Sequence, residues 1–154
     1  MAEDMLLAPM PPTAVRDRIL DGLRGSKASD AVITAVSQMW LDGSASLSPE
    51  RTLELAVKSW AVMDAALKEA LAFDDFTDPQ ALEKAQAAIV SAGTDSFRQA
   101  NVRSYFGRAF AEQRLYDEAL EQFKAIDVAQ TIDPAATLFY KAAAAQSLLD
   151  LALA

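Results

Sequence analysis

A short pattern occurs twice in the chain: a large apolar residue, an alanine three positions later, and a second large apolar residue four positions after that. The two copies are 34 residues apart and consist of Leu82, Ala85 and Ile89, and of Tyr116, Ala119 and Phe123. On a helix these three positions lie on one side, where alanine lets a second helix approach and the large residues fill the flanks. The repeat therefore predicts stacked pairs of helices.

The composition agrees with an all-helical chain. The sequence is rich in alanine and contains only 5 glycines among 154 residues. Alanine has the highest intrinsic helix propensity and glycine nearly the lowest. No segment alternates apolar and polar residues between turn signals, so we expect no strand. A chain of this length is typical of one domain with its own core.

Capping signals set the expected helix boundaries. Ser48-Pro49, Asp78-Pro79 and Asp133-Pro134 each combine a capping side chain with a proline that has no N–H to leave unsatisfied. Further caps are expected at Thr13, at Ser29, and at Thr94 or Asp95, while Gly43 should close the second helix. These signals predict about seven helices, over approximately 14–23, 30–42, 49–72, 79–91, 96–113, 116–130 and 134–154.

The predicted domain organisation is simple. Residues 1–12 contain three prolines and are expected to form a disordered leader. Residues 13–154 are expected to form a single all-helical domain, with N-terminal helices over 13–72 and a repeat part over 78–154. The last helix has no partner following it, which leaves three alternatives: this helix caps the repeat part, another chain covers it, or the repeat part is cut short at the end of the chain.

The residue types argue against an enzyme. The chain has no His and no Cys, which removes the commonest general base and the thiol nucleophile. No phosphate-binding glycine loop or nucleophile motif occurs. Asp74, Asp75 and Asp78 are close in sequence, but they lack the calcium-loop pattern and Asp78 is explained as a helix cap. We therefore expect no catalytic site, no metal and no cofactor.

The charge limits the class of partner. The formal net charge is -8 and the sequence pI is about 4.5, which argues against a nucleic-acid or anionic membrane surface and favours basic partners. No run reaches the roughly 18 apolar residues of a membrane span. The first residues lack the basic and apolar regions of a signal peptide, which favours a cytoplasmic location but leaves the location unknown, because a chain that starts after a removed signal would look the same.

Residues 103–134 resemble a tetratricopeptide repeat. Gly107 occupies the position of the small first-helix residue and Phe110 that of an aromatic, and the second-helix positions are occupied by Tyr116, Ala119 and Phe123. Pro134 matches the closing proline about three residues late. Arg103, Arg114 and Ile126 stand where the family has Trp, Gly and Ala. The resemblance implies antiparallel helical hairpins stacked as a short solenoid, and the alternative is a non-repeating helical bundle.

A candidate binding surface follows from the helical repeat angle and from this resemblance. Asn101, Ser104, Arg108 and Glu112 fall within about 80° of one another on a helix. In proteins resembling this repeat, these positions line a concave groove that binds a peptide, and Lys141 would lie one repeat further along. The alternative is a solvated helix face. If the groove exists, alanine at Arg108 and Lys141 should weaken peptide binding.

Three functions remain open from the sequence. The first is a non-catalytic protein–protein interaction module that binds a protein or peptide. The second is a small acidic secretion-type chaperone, although residues 14–72 do not fit the repeat. The third is a structural or oligomerisation domain of a larger protein, which would self-associate through the apolar end of the last helix at Leu148, Leu149, Leu151 and Leu153.

Overall fold

The computed structural model describes residues 8–41 and 46–153, and its regular structure is entirely helical. The α-helices are α1 (Pro12–Gly25), α2 (Asp30–Met39), α3 (Pro49–Ala61), α4 (Ala65–Ala70), α5 (Pro79–Ser91), α6 (Ser96–Glu112), α7 (Tyr116–Lys124) and α8 (Pro134–Leu153). One turn of 3-10 helix, Val128–Gln130, lies between α7 and α8. The all-helical class is confirmed for the described part of the chain, which contains eight α-helices where about seven were predicted.

Most predicted helix starts are confirmed. The predicted capping side chains that accept a backbone N–H of the first turn are those of Ser29, Ser48, Asp78, Asp95 and Asp133. The cap predicted at Thr13 is wrong, since α1 already begins at Pro12 after an extended Pro11. Proline fits there because the first turn of a helix needs no N–H from it. Gly43, the predicted end of the second helix, lies outside the described residues, but α2 already ends at Met39, so the predicted end is wrong.

Two further predicted helices are shorter in the structure. The helix expected over 49–72 ends at Ala61, and a separate helix begins after Asp64. Asp64 accepts the Leu67 N–H and also hydrogen bonds from Ser91 and Arg98, so two later helices hold this capping conformation in place. The helix expected over 116–130 ends at Lys124.

Two pairs of consecutive helices form antiparallel hairpins. In the pair α4–α5, Glu69 is bonded to Lys84 near one end and Asp64 to Ser91 near the other. In the pair α6–α7, a Cβ on Gly107 would lie 3.1 Å from the ring of Phe123, so the two helices are in close contact. Helix α8 then packs against α6 and α7.

The turn between α6 and α7 has a left-handed residue. Arg114 has φ 64° and directly precedes Leu115, whose N–H donates to the Phe110 carbonyl. Tetratricopeptide repeats, which residues 103–134 resemble, have a glycine at this position, and glycine is the residue that adopts positive φ without a steric penalty. Arg114 therefore adopts a left-handed backbone conformation that is unfavourable for a residue with a Cβ.

The N-terminal helices join the same core as the hairpins. Trp40 is buried and its indole N–H donates to Ser59 Oγ at 2.9 Å, which connects α2 to α3. Residues 8–11 of the expected leader are described, and the Met10 N–H donates to the Ile132 carbonyl. The largest fully buried apolar side chains, from both halves of the chain, are Trp40, Phe106, Phe110, Phe123, Leu67 and Ile132.

Candidate functional site

Arg108 is the centre of a charged group that brings three helices together. Its Nη2 lies 2.8 Å from Glu50 Oε1 at the start of α3, and its Nε lies 3.2 Å from Glu112 Oε1 one turn along α6. Its guanidinium carbon is 5.1 Å from the ring centroid of Tyr140 on α8, whose hydroxyl donates to Glu112. We call these four residues, Glu50, Arg108, Glu112 and Tyr140, the Arg108 cluster.

The cluster holds Arg108 in its charged form. Only 21% of the Arg108 side chain is exposed, and burial alone would lower its pKa. The hydrogen bonds that Arg108 donates to the carboxylates of Glu50 and Glu112 outweigh burial, so the pKa of Arg108 is raised above its ordinary value. Burial likewise raises the pKa of the Tyr140 phenol, while the neighbouring Arg108 charge opposes that rise. The cluster is therefore a fixed arrangement of charges near neutral pH.

An open groove of about 520 Å³ lies beside the cluster, between the start of α3 and the first turns of α8. Phe139 is 66% exposed and forms an apolar wall. The carboxylates of Glu50 and Asp133 lie on the groove with the single guanidinium of Arg108. The groove thus combines an apolar surface with a mainly acidic lining.

Two of the predicted groove residues have structural roles. The Asn101 side chain is fully buried, donates to the carbonyls of Phe97 and Gln130, and accepts the Ile132 N–H. Ser104 is also buried and its Oγ lies 3.2 Å from Thr137 Oγ1 on α8. These side chains join α6 to the segment that leads into α8, and neither offers a free polar group to a ligand.

The other three predicted residues are only partly brought together. Arg108 and Glu112 are in direct contact within the Arg108 cluster. Lys141 is on the neighbouring helix α8, and it does not line the groove beside Tyr140. Among the described residues it has no hydrogen-bond or ion-pair partner. The accessible part of the predicted surface is therefore Arg108 and Glu112, extended by Glu50, Phe139 and Tyr140.

The acidic loop before α5 is organised by its own backbone. Asp75 accepts hydrogen bonds from the Thr77 hydroxyl and the Thr77 N–H, which lower the pKa of its carboxyl. Asp78 caps α5 by accepting the Gln80 N–H. Within residues 8–41 and 46–153, no three acidic side chains come together as a possible metal-binding group. Within the same residues, no helix has the length and apolar character needed to cross a membrane.

A second cleft was missed from the sequence. It has a volume of about 410 Å³ and lies between α1, the end of α3 and the start of α6. Trp60 and Phe97 meet edge to face on its floor, and the Arg18 guanidinium lies 4.2 Å from the Phe97 ring centroid. Arg98 and Asp64 form an ion pair at 2.8 Å on its rim. Its residues come from distant segments, so no local sequence pattern indicates it.

Comparison of the chain with protein-family models, curated proteins and solved structures found no match in any of the three. The resemblance of residues 103–134 to a tetratricopeptide repeat therefore stays a prediction.

Proposed function

We propose that this protein is a non-catalytic interaction module that binds a peptide segment of another protein in the groove beside the Arg108 cluster. The observation that carries the proposal is Phe139, an aromatic side chain that is 66% exposed next to fixed charges. Large exposed aromatics beside organised polar groups are typical of binding surfaces. The chain has no His or Cys to support a catalytic alternative.

The proposal includes a repeat-like arrangement of the C-terminal helices. The hairpins α4–α5 and α6–α7, followed by α8, have the order expected of stacked tetratricopeptide-like hairpins. Ala85 and Ala119, the small residues of the repeated pattern, are both fully buried, which supports close helix packing at equivalent positions. In such an arrangement α6 and α8 are the first helices of neighbouring repeats, and the groove beside the cluster lies against both.

The chemistry of the groove indicates the type of peptide. An apolar side chain would pack on Phe139 and on the alkyl carbons of Ala135 and Ala136. A Lys or Arg of the peptide would pair with Glu50 or Asp133, whose charges exceed that of the single Arg108 in the lining. The overall charge of -8 would attract the same class of basic ligand over longer distances.

Peptide selection tests this proposal. Random 12-residue peptides displayed on phage would be selected against the wild-type protein, and we expect enrichment of sequences that combine an apolar residue with Lys or Arg. Phe139→Ala should weaken a selected peptide about tenfold in fluorescence anisotropy, as expected for a central contact residue. Arg108→Ala should also weaken it, because the cluster that positions Glu50 and Tyr140 is lost.

Val90→Ala is the matched control, since Val90 is 80% exposed on α5 and lies away from the groove. Lys141→Ala should change affinity little, because Lys141 does not line the groove. Circular dichroism of each variant checks that the helical content is unchanged. Failure to enrich peptides, or equal binding by wild type and Phe139→Ala, would rule out this groove as the binding site.

A further inference from the structure

Helix α8 has an apolar face that no part of the described structure covers. Six of its exposed positions recur at helical spacing and carry only alanine and leucine. They are Ala135, Leu138, Ala142, Ala145, Leu149 and Ala152. Leu138 and Leu149 are 40% and 53% exposed, although leucines of this kind are normally removed from water. We call these six residues the α8 stripe.

The order of residues in the α8 stripe reads the same from either end. Ala142 and Ala145 are at the centre, Leu138 and Leu149 flank them, and Ala135 and Ala152 are outermost. The two residues of each of these pairs are equally far from a point between positions 143 and 144. Two copies of α8 placed antiparallel about that point would therefore oppose leucine to leucine and alanine to alanine.

From this symmetry we propose that the protein forms a homodimer in which two α8 helices pair antiparallel about a two-fold axis. A two-fold interface requires that when residue i contacts residue j of the second copy, j also contacts i, and the α8 stripe meets this requirement at all six positions. The central alanines would let the helices approach to about 8 Å, and the leucines would fill the space on either side.

Electrostatics favour this face over the rest of the protein. A chain with a net charge of -8 repels its own copies. Helix α8 contains one cation, Lys141, and one anion, Asp150, so the helix itself is neutral. Neither residue belongs to the stripe. Two copies can therefore approach through α8 with little of the repulsion that the acidic surface imposes elsewhere.

The expected dimer is weak. The stripe spans 17 residue steps, or about 26 Å of helix, which is a short contact compared with standard interfaces that bury about 1,600 Å². We expect a dissociation constant on the order of 0.1 mM. This proposal does not depend on peptide binding in the groove. Ala135 belongs to both surfaces, but Leu138 and Leu149, the largest side chains of the stripe, do not line the groove.

Two double substitutions test the pairing. In Leu138→Glu/Leu149→Glu, every leucine contact across the axis becomes a contact between two carboxylates, and the dimer should be lost. In Leu138→Lys/Leu149→Glu, each Lys faces a Glu of the second copy, so the dimer should be retained. In a parallel pair the second variant would instead oppose Lys to Lys. Both sites are solvent-facing, so folding should be preserved, and circular dichroism verifies this.

Sedimentation equilibrium from about 10 µM to about 1 mM, spanning the expected dissociation constant, gives the readout. We expect the wild-type mass to rise from 16.6 kDa toward twice that value. A wild-type mass that stays at one chain up to the highest concentration overturns the proposal, whatever other molecule binds α8. A dimer that persists in the variant with two glutamates overturns the role of the stripe. A Lys/Glu variant as monomeric as the Glu/Glu variant overturns the antiparallel arrangement.

Discussion

Gly107 on α6 faces the ring of Phe123 on α7 so closely that a Cβ at position 107 would lie 3.1 Å from two ring carbons. Phe123 is buried and packed within the core, so its ring has little room to move. Gly107 thus sets the separation of the α6–α7 hairpin.

Gly107→Ala should destabilise the protein. Overpacking of a filled core costs about 1–3 kcal/mol, which exceeds the gain of up to about 1 kcal/mol from helix propensity. Urea unfolding followed by circular dichroism measures the difference. Gly22→Ala in α1 is the control, because nothing lies within 4 Å of its added Cβ, and it should stabilise the protein. If both substitutions stabilise the protein equally, the hairpin is not limited by this contact.

Arg114→Gly removes the steric penalty of a Cβ at φ 64°, which stabilises the folded state. Glycine also makes the unfolded chain more flexible, which offsets part of this gain. The net stabilisation should be about 0.5–1 kcal/mol. The Arg114 side chain is exposed and has no hydrogen-bond partner among the described residues, so the substitution removes no side-chain hydrogen bond. Thermal unfolding monitored by circular dichroism provides the comparison. Arg114→Ala keeps the Cβ and should show no such gain in stability. If both variants are stabilised equally, the effect comes from loss of the arginine side chain and not from the backbone conformation.

Asn101→Leu should cost about 2–4 kcal/mol, because it leaves the buried Ile132 N–H and two carbonyls without their partner. Hydrogen exchange of the Ile132 amide should accelerate in the same variant. Gln99→Ala, on the same helix, removes a single hydrogen bond to the Gly93 carbonyl near the surface and should cost under about 1 kcal/mol. Similar costs for the two variants would contradict a central role for Asn101.

Tyr105 should make stability depend on alkaline pH. Its phenol has a raised pKa, first because burial disfavours the phenolate and then because Glu54 and Asp74 repel it. A phenol with a higher pKa in the folded chain stabilises that state below its unfolded pKa of about 10, and this contribution is lost as pH rises through the folded value. Tyr105→Phe should therefore flatten the fall in unfolding free energy between about pH 9 and 11. Identical slopes for both proteins would count against this assignment.

The parts of the fold that were predictable from sequence depend on local chemistry. The side chains of Ser48 and Asp78 accept N–H groups only two or three residues further along the chain. The few residues around each cap therefore suffice to predict the start of the helix. The break at Asp64 was not predictable in the same way. Its carboxylate is held by Ser91 and Arg98, which are distant in sequence and are brought near only by the packing of α5 and α6.

The candidate site shows a similar limit. Helical spacing correctly groups Asn101, Ser104 and Arg108 on α6, but it contains no information on which segment covers each of them. The segment before α8 covers Asn101 and α8 covers Ser104, whereas Glu50 reaches Arg108 from α3. The same lack of information explains why the cleft at Trp60 and Phe97 was missed.

The contacts of α1 with the segment before α8 have a consequence for synthesis of the chain. Arg18 Nη2 donates to Gln130 Oε1 across a sequence separation of 112 residues, and Met10 is bonded to Ile132. While the chain is still on the ribosome, α1 can pack on α3 but has no partner for these groups. Because the segment before α8 is synthesised after α1, α1 gains these contacts only once that segment has left the ribosome.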